Sequence, residues 1–161
     1  MTWNRVSEAD FRRHVGVLAR LPWPVTFADV AAVVTTQLGW TPLTRSGYWA
    51  NLGVERGMGS ISKVDNDEVS SIHVDLTDFS KDESDERDTF QHEAFSFYAQ
   101  ILEDMYGAGT HAPFPRTHDE MYWDLPSGPR IVLVVGIATA TVSILSPRLT
   151  QARRVIARGE H

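Results

Sequence analysis

The chain is predicted to form a single α+β domain over residues 1–161. A mostly antiparallel sheet of about five or six strands has its helices packed on one face, in the order ααβββαβββα. Three observations predict this. Segments of helical period with capping residues at their starts bracket two groups of segments that alternate apolar and polar residues. The members of each group are separated by short turns, which suit hairpins and are too short for parallel crossovers. The length of 161 residues and the 42% apolar content match one domain with a full core.

Ser7, followed three residues later by Asp10, has the spacing of a capping box, and Phe11, Val15 and Leu18 then fall on one helical face. Leu21-Pro22-Trp23-Pro24 ends that helix, because neither proline can continue the hydrogen-bond ladder. Thr26 and Asp29 open a second helix in the same way. Its stripe is Phe27, Val30, Ala31, Val34 and Leu38, and Gly39 supplies the residue beyond its end. Tyr48 to Gly53 and Gly59 to Val64 are short β-compatible runs, and Asp65-Asn66-Asp67-Glu68 is turn chemistry. From Ser71 to Thr77 the pattern alternates, with Ile72, Val74 and Leu76 inward and His73, Asp75 and Thr77 facing solvent or a partner.

A long helix follows from about Ser84 to Tyr106, with an acidic first turn that suits the positive end of the helix dipole. Phe90, Ala94, Phe97, Ile101, Leu102 and Met105 give its expected apolar stripe, and Gly107 and Gly109 stop it. Ala112-Pro113-Phe114-Pro115 is a rigid connector. Met121 to Leu125 and Arg130 to Ile137 flank Pro126-Ser127-Gly128-Pro129, a hairpin turn. Thr139 to Leu145 makes the last strand, and Ser146-Pro147 opens a terminal helix carrying Arg148, Arg153, Arg154 and Arg158.

Composition narrows the function. With no cysteine there is no disulfide framework, thiol nucleophile or zinc ribbon. The start of the chain has no basic segment followed by an apolar run, and the longest apolar stretch, 131–145, is interrupted by Gly136, Thr139, Thr141 and Ser143. The expectation is a cytoplasmic protein without a signal peptide or membrane partner. A net charge of −6 argues against nucleic acid, whose phosphates need clustered Lys and Arg.

That charge is unevenly spread. Between Asp65 and Asp88 ten acidic side chains stand against Lys81 and Arg87, giving −8 in one segment of a chain whose total is −6. One reading is a solvated turn followed by a helix start that prefers acids. The other is a convergent acidic field, which speeds encounter with a cationic partner and discriminates between partners. Trp49 beside Tyr48, and Tyr122 beside Trp123, each put one aromatic on the outward face of a strand, where interfaces find their anchors.

No motif of chemistry survives inspection. His73 and Asp75 share one strand face, and His118-Asp119-Glu120 lies at a strand start, but neither supplies three ligands at a recognised spacing. No metal and no cofactor are expected, and a paired surface position is the expected role of a histidine. Asp65-Asn66-Asp67-Glu68 starts like a calcium loop, yet Ser70 and Leu76 stand where Gly and Glu are needed. Gly53, Gly57 and Gly59 lack the Lys-Ser/Thr of a phosphate loop, and there is no G-x-S-x-G.

Leu21-Pro22-Trp23-Pro24, Phe27-Ala28-Asp29, Leu38-Gly39-Trp40, Leu125-Pro126-Ser127-Gly128-Pro129 and the run Thr139 to Pro147 together resemble a family of small uncharacterised actinobacterial proteins. The likeness covers most of the chain in its order of elements. Such proteins are often encoded beside polymorphic or secreted toxins, so the resemblance implies an immunity protein. The element order also resembles the type III secretion chaperone fold, in which an α+β protomer dimerises; here an additional helix stands near the start.

The expected function is therefore non-enzymatic: neutralisation of a cognate protein toxin, basic at the contact, by an acidic surface that occludes its active-site groove. The residues expected to meet that partner are Asp65, Asp67, Glu68, His73, Asp75, Asp78, Asp82, Trp49 and Tyr122, in a monomer or homodimer. The alternatives are a secretion chaperone for an effector protein, and a small ligand-binding domain or enzyme without a recognisable motif.

Overall fold

The computed structural model describes residues 3–80, 83–112, 119–136 and 138–158, with Asp65 described in its backbone alone. The helices are α1 (Glu8–Ala19), α2 (Phe27–Thr36), α3 (Asp85–Tyr106) and α4 (Pro147–Ala157). The strands are β1 (Thr41–Pro42), β2 (Gly47–Trp49), β3 (Met58–Lys63), β4 (Val69–Asp75), β5 (Thr110–His111), β6 (Glu120–Asp124), β7 (Arg130–Val135) and β8 (Ala140–Leu145). All four helices begin on a hydroxyl that accepts a first-turn amide: Ser7 from Asp10, Thr26 from Asp29, Ser84 from Arg87 and Ser146 from Leu149. Each satisfies a donor that the helix cannot reach itself.

The strands form one eight-stranded sheet in the order β1-β2-β3-β4-β8-β7-β6-β5, with every neighbouring pair antiparallel. Two four-stranded meanders thus meet at the β4–β8 pair, and the α3 crossover between them lets the second meander run back towards the first. The fold class holds, with eight strands among the described residues in place of five or six. The two additional strands, β1 and β5, have two residues each and occupy the sheet's edges. A pair of residues shows no alternation, so only pairing with a neighbour defines them.

Register sorts the side chains into two faces. Ile61, Ile72, Ile144, Ile131 and Trp123 line up across five strands on the inner face, beside a second row of Gly59, Val74, Val142, Leu133 and Met121. Each fully buried Ile there contributes roughly 1.5–3 kcal/mol. Buried residues of α1, α2 and α3 close over these rows into one core. Gly59 is needed because the Trp40 ring lies on it: a Cβ at that position would come within 2.4 Å of the indole.

The helices were expected on one face of the sheet, but α4 lies away from the core that α1, α2 and α3 close. Val132 and Leu145 are buried outside the main core, on the side of the sheet that bears Arg130 and Asp124, and Arg154 of α4 reaches Asp124 there (3.4 Å). The buried stripe of α3 is also rotated from the expected one. Its centre is Ala94, Tyr98 and Leu102, with Arg87 and Gln91 buried among the polar residues. The Tyr98 hydroxyl explains the rotation: it donates to the carbonyls of Val6 (2.6 Å) and Leu76 (3.2 Å), inside the core. Phe97 is left at the margin under the Arg5 guanidinium (3.8 Å), and Phe90 stacks on Trp3.

Candidate functional site

The acidic segment does not form one surface. Asp67 and Glu68 precede β4 while Asp75 and Asp78 lie at its far end, and the seven residues of that strand span about 23 Å. At the near end Lys63 bonds Asp67 (2.8 Å) and holds its carboxyl below the usual range, and Arg148 stands 3.9 Å from Glu68. Asp82 lies outside the described residues, as does the side chain of Asp65.

Asp78 faces inward. It is 7% exposed and accepts from the backbone N–H of Asn4 (2.7 Å), from the Asn4 side chain (3.3 Å) and from the backbone N–H of Glu55 (2.6 Å). It joins the N-terminal segment and the loop after β2 to the exit of β4, which makes it a structural carboxylate. Thr77, expected to face outward, is fully buried and donates or accepts with Thr139 (3.0 Å). The strand's alternation ends where the N-terminal segment pairs beside it, at the Arg5–Thr77 bridge.

The outer face of the sheet collects the remaining candidates. His73 sits between two serine hydroxyls, Ser143 Oγ at 2.5 Å from Nδ1 and Ser71 Oγ at 3.0 Å from Nε2. Burial holds this imidazole below its ordinary value, and the nearby Arg153 of α4 acts in the same direction. A neutral ring has one N–H, so it donates to one serine and accepts from the other. Both serines are buried, and the trio forms a polar joint between β4 and β8. One residue pair along, Asp75 accepts from the Met58 amide (3.1 Å) and from Thr141 Oγ1 (3.4 Å). Burial raises the Asp75 carboxyl, with those two hydrogen bonds opposing.

Tyr122 is half-buried beneath the guanidinium of Arg130 (4.0 Å), which itself grips Asp124 through two nitrogens (2.6 and 3.0 Å). Burial works to raise the Asp124 carboxyl, yet Arg130 and Arg154 together hold it low. Tyr122 is thus engaged by the protein's own cation. Trp49 is different. It is 38% exposed on the outer face of β2, paired across to Met58, with Leu43 (45% exposed) in the adjoining turn. Of the nine expected contact residues, the structure brings together Trp49 and Asp75, linked through Met58, with His73 one register step away on β4. Asp67, Glu68, Asp78 and Tyr122 are not part of that group.

Sequence reasoning missed His14, which is 2% exposed. It is a core residue and not a surface one: the indole N–H of Trp40 donates to its Nε2 (3.1 Å), and its Nδ1 meets the carbonyl of Asp10 (2.9 Å). A signal existed, since His14 lies three residues after Phe11 and four before Leu18, on the apolar stripe. The partnership of Ser71 and Ser143 carried none, because those residues meet only through strand pairing. Among the described residues no group of three or more His, Asp or Glu could hold a metal ion, and no helix is long and apolar enough to cross a membrane.

Fold and face together define an α+β protein built on a fully antiparallel sheet, with a polar outer surface that α4 shares with an exposed aromatic. The chain belongs to a family of unknown function, DUF6301, whose family model matches residues 9–146. Comparison with curated proteins and with solved structures finds no match to either.

Proposed function

We propose that this protein is a non-enzymatic binding module, an immunity-type inhibitor that neutralises a protein toxin by covering its functional surface. The observation that carries the reading is Trp49. A large aromatic stands 38% exposed on a strand whose neighbouring residue Tyr48 is buried in the core, so the side chain is directed outward. Rigid aromatics with apolar neighbours are the residues on which interface energy concentrates. Met58, paired across from Trp49, supplies such a neighbour, and Asp75 lies beside it. The net charge of −6 favours a cationic partner by steering its approach.

This places the contact on the outer face of β2 and β3 and gives up the single acidic field as its basis. The test is capture of the partner on the tagged protein, identification by mass spectrometry, and an activity assay of that partner with and without this chain. Trp49→Ala is expected to weaken capture at least tenfold, about 1.4 kcal/mol, while unfolding stability changes by less than about 1 kcal/mol. Undiminished capture and inhibition by Trp49→Ala would refute the assignment.

A further inference from the structure

We propose that His14 and Trp40 form an acid-sensitive latch that holds the β1–β2 hairpin, and with it Trp49, in place on the sheet. The geometry fixes the protons. An indole N–H can only donate, so His14 Nε2 must present its lone pair to Trp40, and the ring's one proton is on Nδ1, donated to the Asp10 carbonyl. A second proton can go only to Nε2. There it sets N–H against N–H and places a charge in a site that is 2% exposed. Protonation of His14 and the Trp40 hydrogen bond therefore exclude one another.

The groups that act on the ring are few. Burial opposes the proton most, Arg13 opposes it too, and the Asp10 carbonyl and carboxylate favour it, with a lowered value as the outcome. From α3 the acid facing α1 is Asp104, engaged by Arg12 (3.5 Å). Tyr48 of β2 reaches the pair only through Trp40 (ring centroids 5.6 Å), and burial keeps its phenol neutral. The latch contributes fully above 6.5, the ordinary histidine value, and weakens as pH falls below it.

Trp40 transmits the change because of where it sits. Its backbone N–H donates to the Val34 carbonyl near the end of α2, its ring lies on Gly59 of β3, and the next two residues are β1. In the sheet, β1 and β2 are joined to the rest only through β3. Displacing the indole frees that edge while the central β4, β8 and β7 keep their partners. The consequence for a partner of Trp49 rests on the docking reading above; the loosening itself does not.

The test uses hydrogen exchange on the intact protein without any partner, from about pH 7.5 to about pH 5, in wild type, His14→Gln and His73→Gln. Protection of the hairpin amides, Leu43, Thr44 and Ala50 among them, is expected to fall by up to about tenfold per pH unit below 6.5 in wild type. Amides of β7 and β8, which exchange through global opening, lose protection through both histidines, so His73→Gln is expected to reduce their response. His14→Gln, whose side-chain oxygen can accept from the indole but does not titrate, should flatten the hairpin response, and His73→Gln should leave it as in wild type. An unchanged hairpin response in His14→Gln, or a hairpin response that shrinks in His73→Gln along with that of β7 and β8, overturns the latch. Should His14→Gln fail to fold, an NMR titration of the wild-type His14 ring decides: full protonation with the hairpin still protected overturns it equally.

Discussion

Asp78→Ala is expected to destabilise the fold severely, although Asp78 belongs to the most acidic stretch of the chain. The carboxylate accepts three hydrogen bonds, two of them from the backbone amides of Asn4 and Glu55. Truncation leaves both amides without a partner beside a side chain that is 7% exposed. An unsatisfied buried donor costs about 1–3 kcal/mol. Asn4 and Glu55 are themselves exposed residues, so water reaches part of the gap and the total comes to about 2–4 kcal/mol. For a domain of this size that is a fall of roughly 5–15 °C in Tm. Asp78→Asn keeps one oxygen but points an N–H₂ group at a donor, and it should lose roughly half as much. Urea unfolding followed by tryptophan fluorescence measures both variants. A loss under about 0.5 kcal/mol for Asp78→Ala would show the residue to be an ordinary surface acid and refute the structural role.

Two further substitutions probe the core and the outer face. Gly59→Ala puts a methyl group into the Trp40 ring and should cost about 1–3 kcal/mol, with an altered near-UV circular dichroism spectrum; a silent variant would contradict the packing of Trp40 on β3. His73 is held neutral by burial and by Arg153, so its contribution to stability is intact above 6.5 and is lost as pH falls below that value. Urea midpoints of wild type should therefore decline on acidification, and His73→Gln should remove part of the slope; a midpoint that rises as pH falls would contradict the sign.

Much of the fold was legible because it is set by neighbours in the chain. The hydroxyl caps Ser7, Thr26, Ser84 and Ser146 each bond an amide three residues on, so each can be read from a short window. The alternation of Ile72, Val74 and Leu76 named the inner face of β4, and all six expected strands are present. The stripe Val30, Val34 and Leu38 is buried, and Gly39 takes the positive φ expected beyond the helix (72°). The candidate site was legible in much smaller part. Trp49 outward and Tyr48 inward follow from the period of two, although the sequence left open which of the two faced out.

By itself the sequence determined the order of elements, their caps and the class of the fold, since these depend on contacts within one turn of helix or one run of strand. Tertiary structure alone decided what the polar groups do. It folded Asp78 inward onto Asn4 and Glu55, set His73 between Ser71 and Ser143, buried His14 against Trp40, and laid α4 away from the core that the other helices close. Those outcomes turn on partners 23 to 74 residues away in most cases. A charge written in the sequence says how much solvation a side chain asks for, and only the packed chain shows whether water or a backbone amide supplies it.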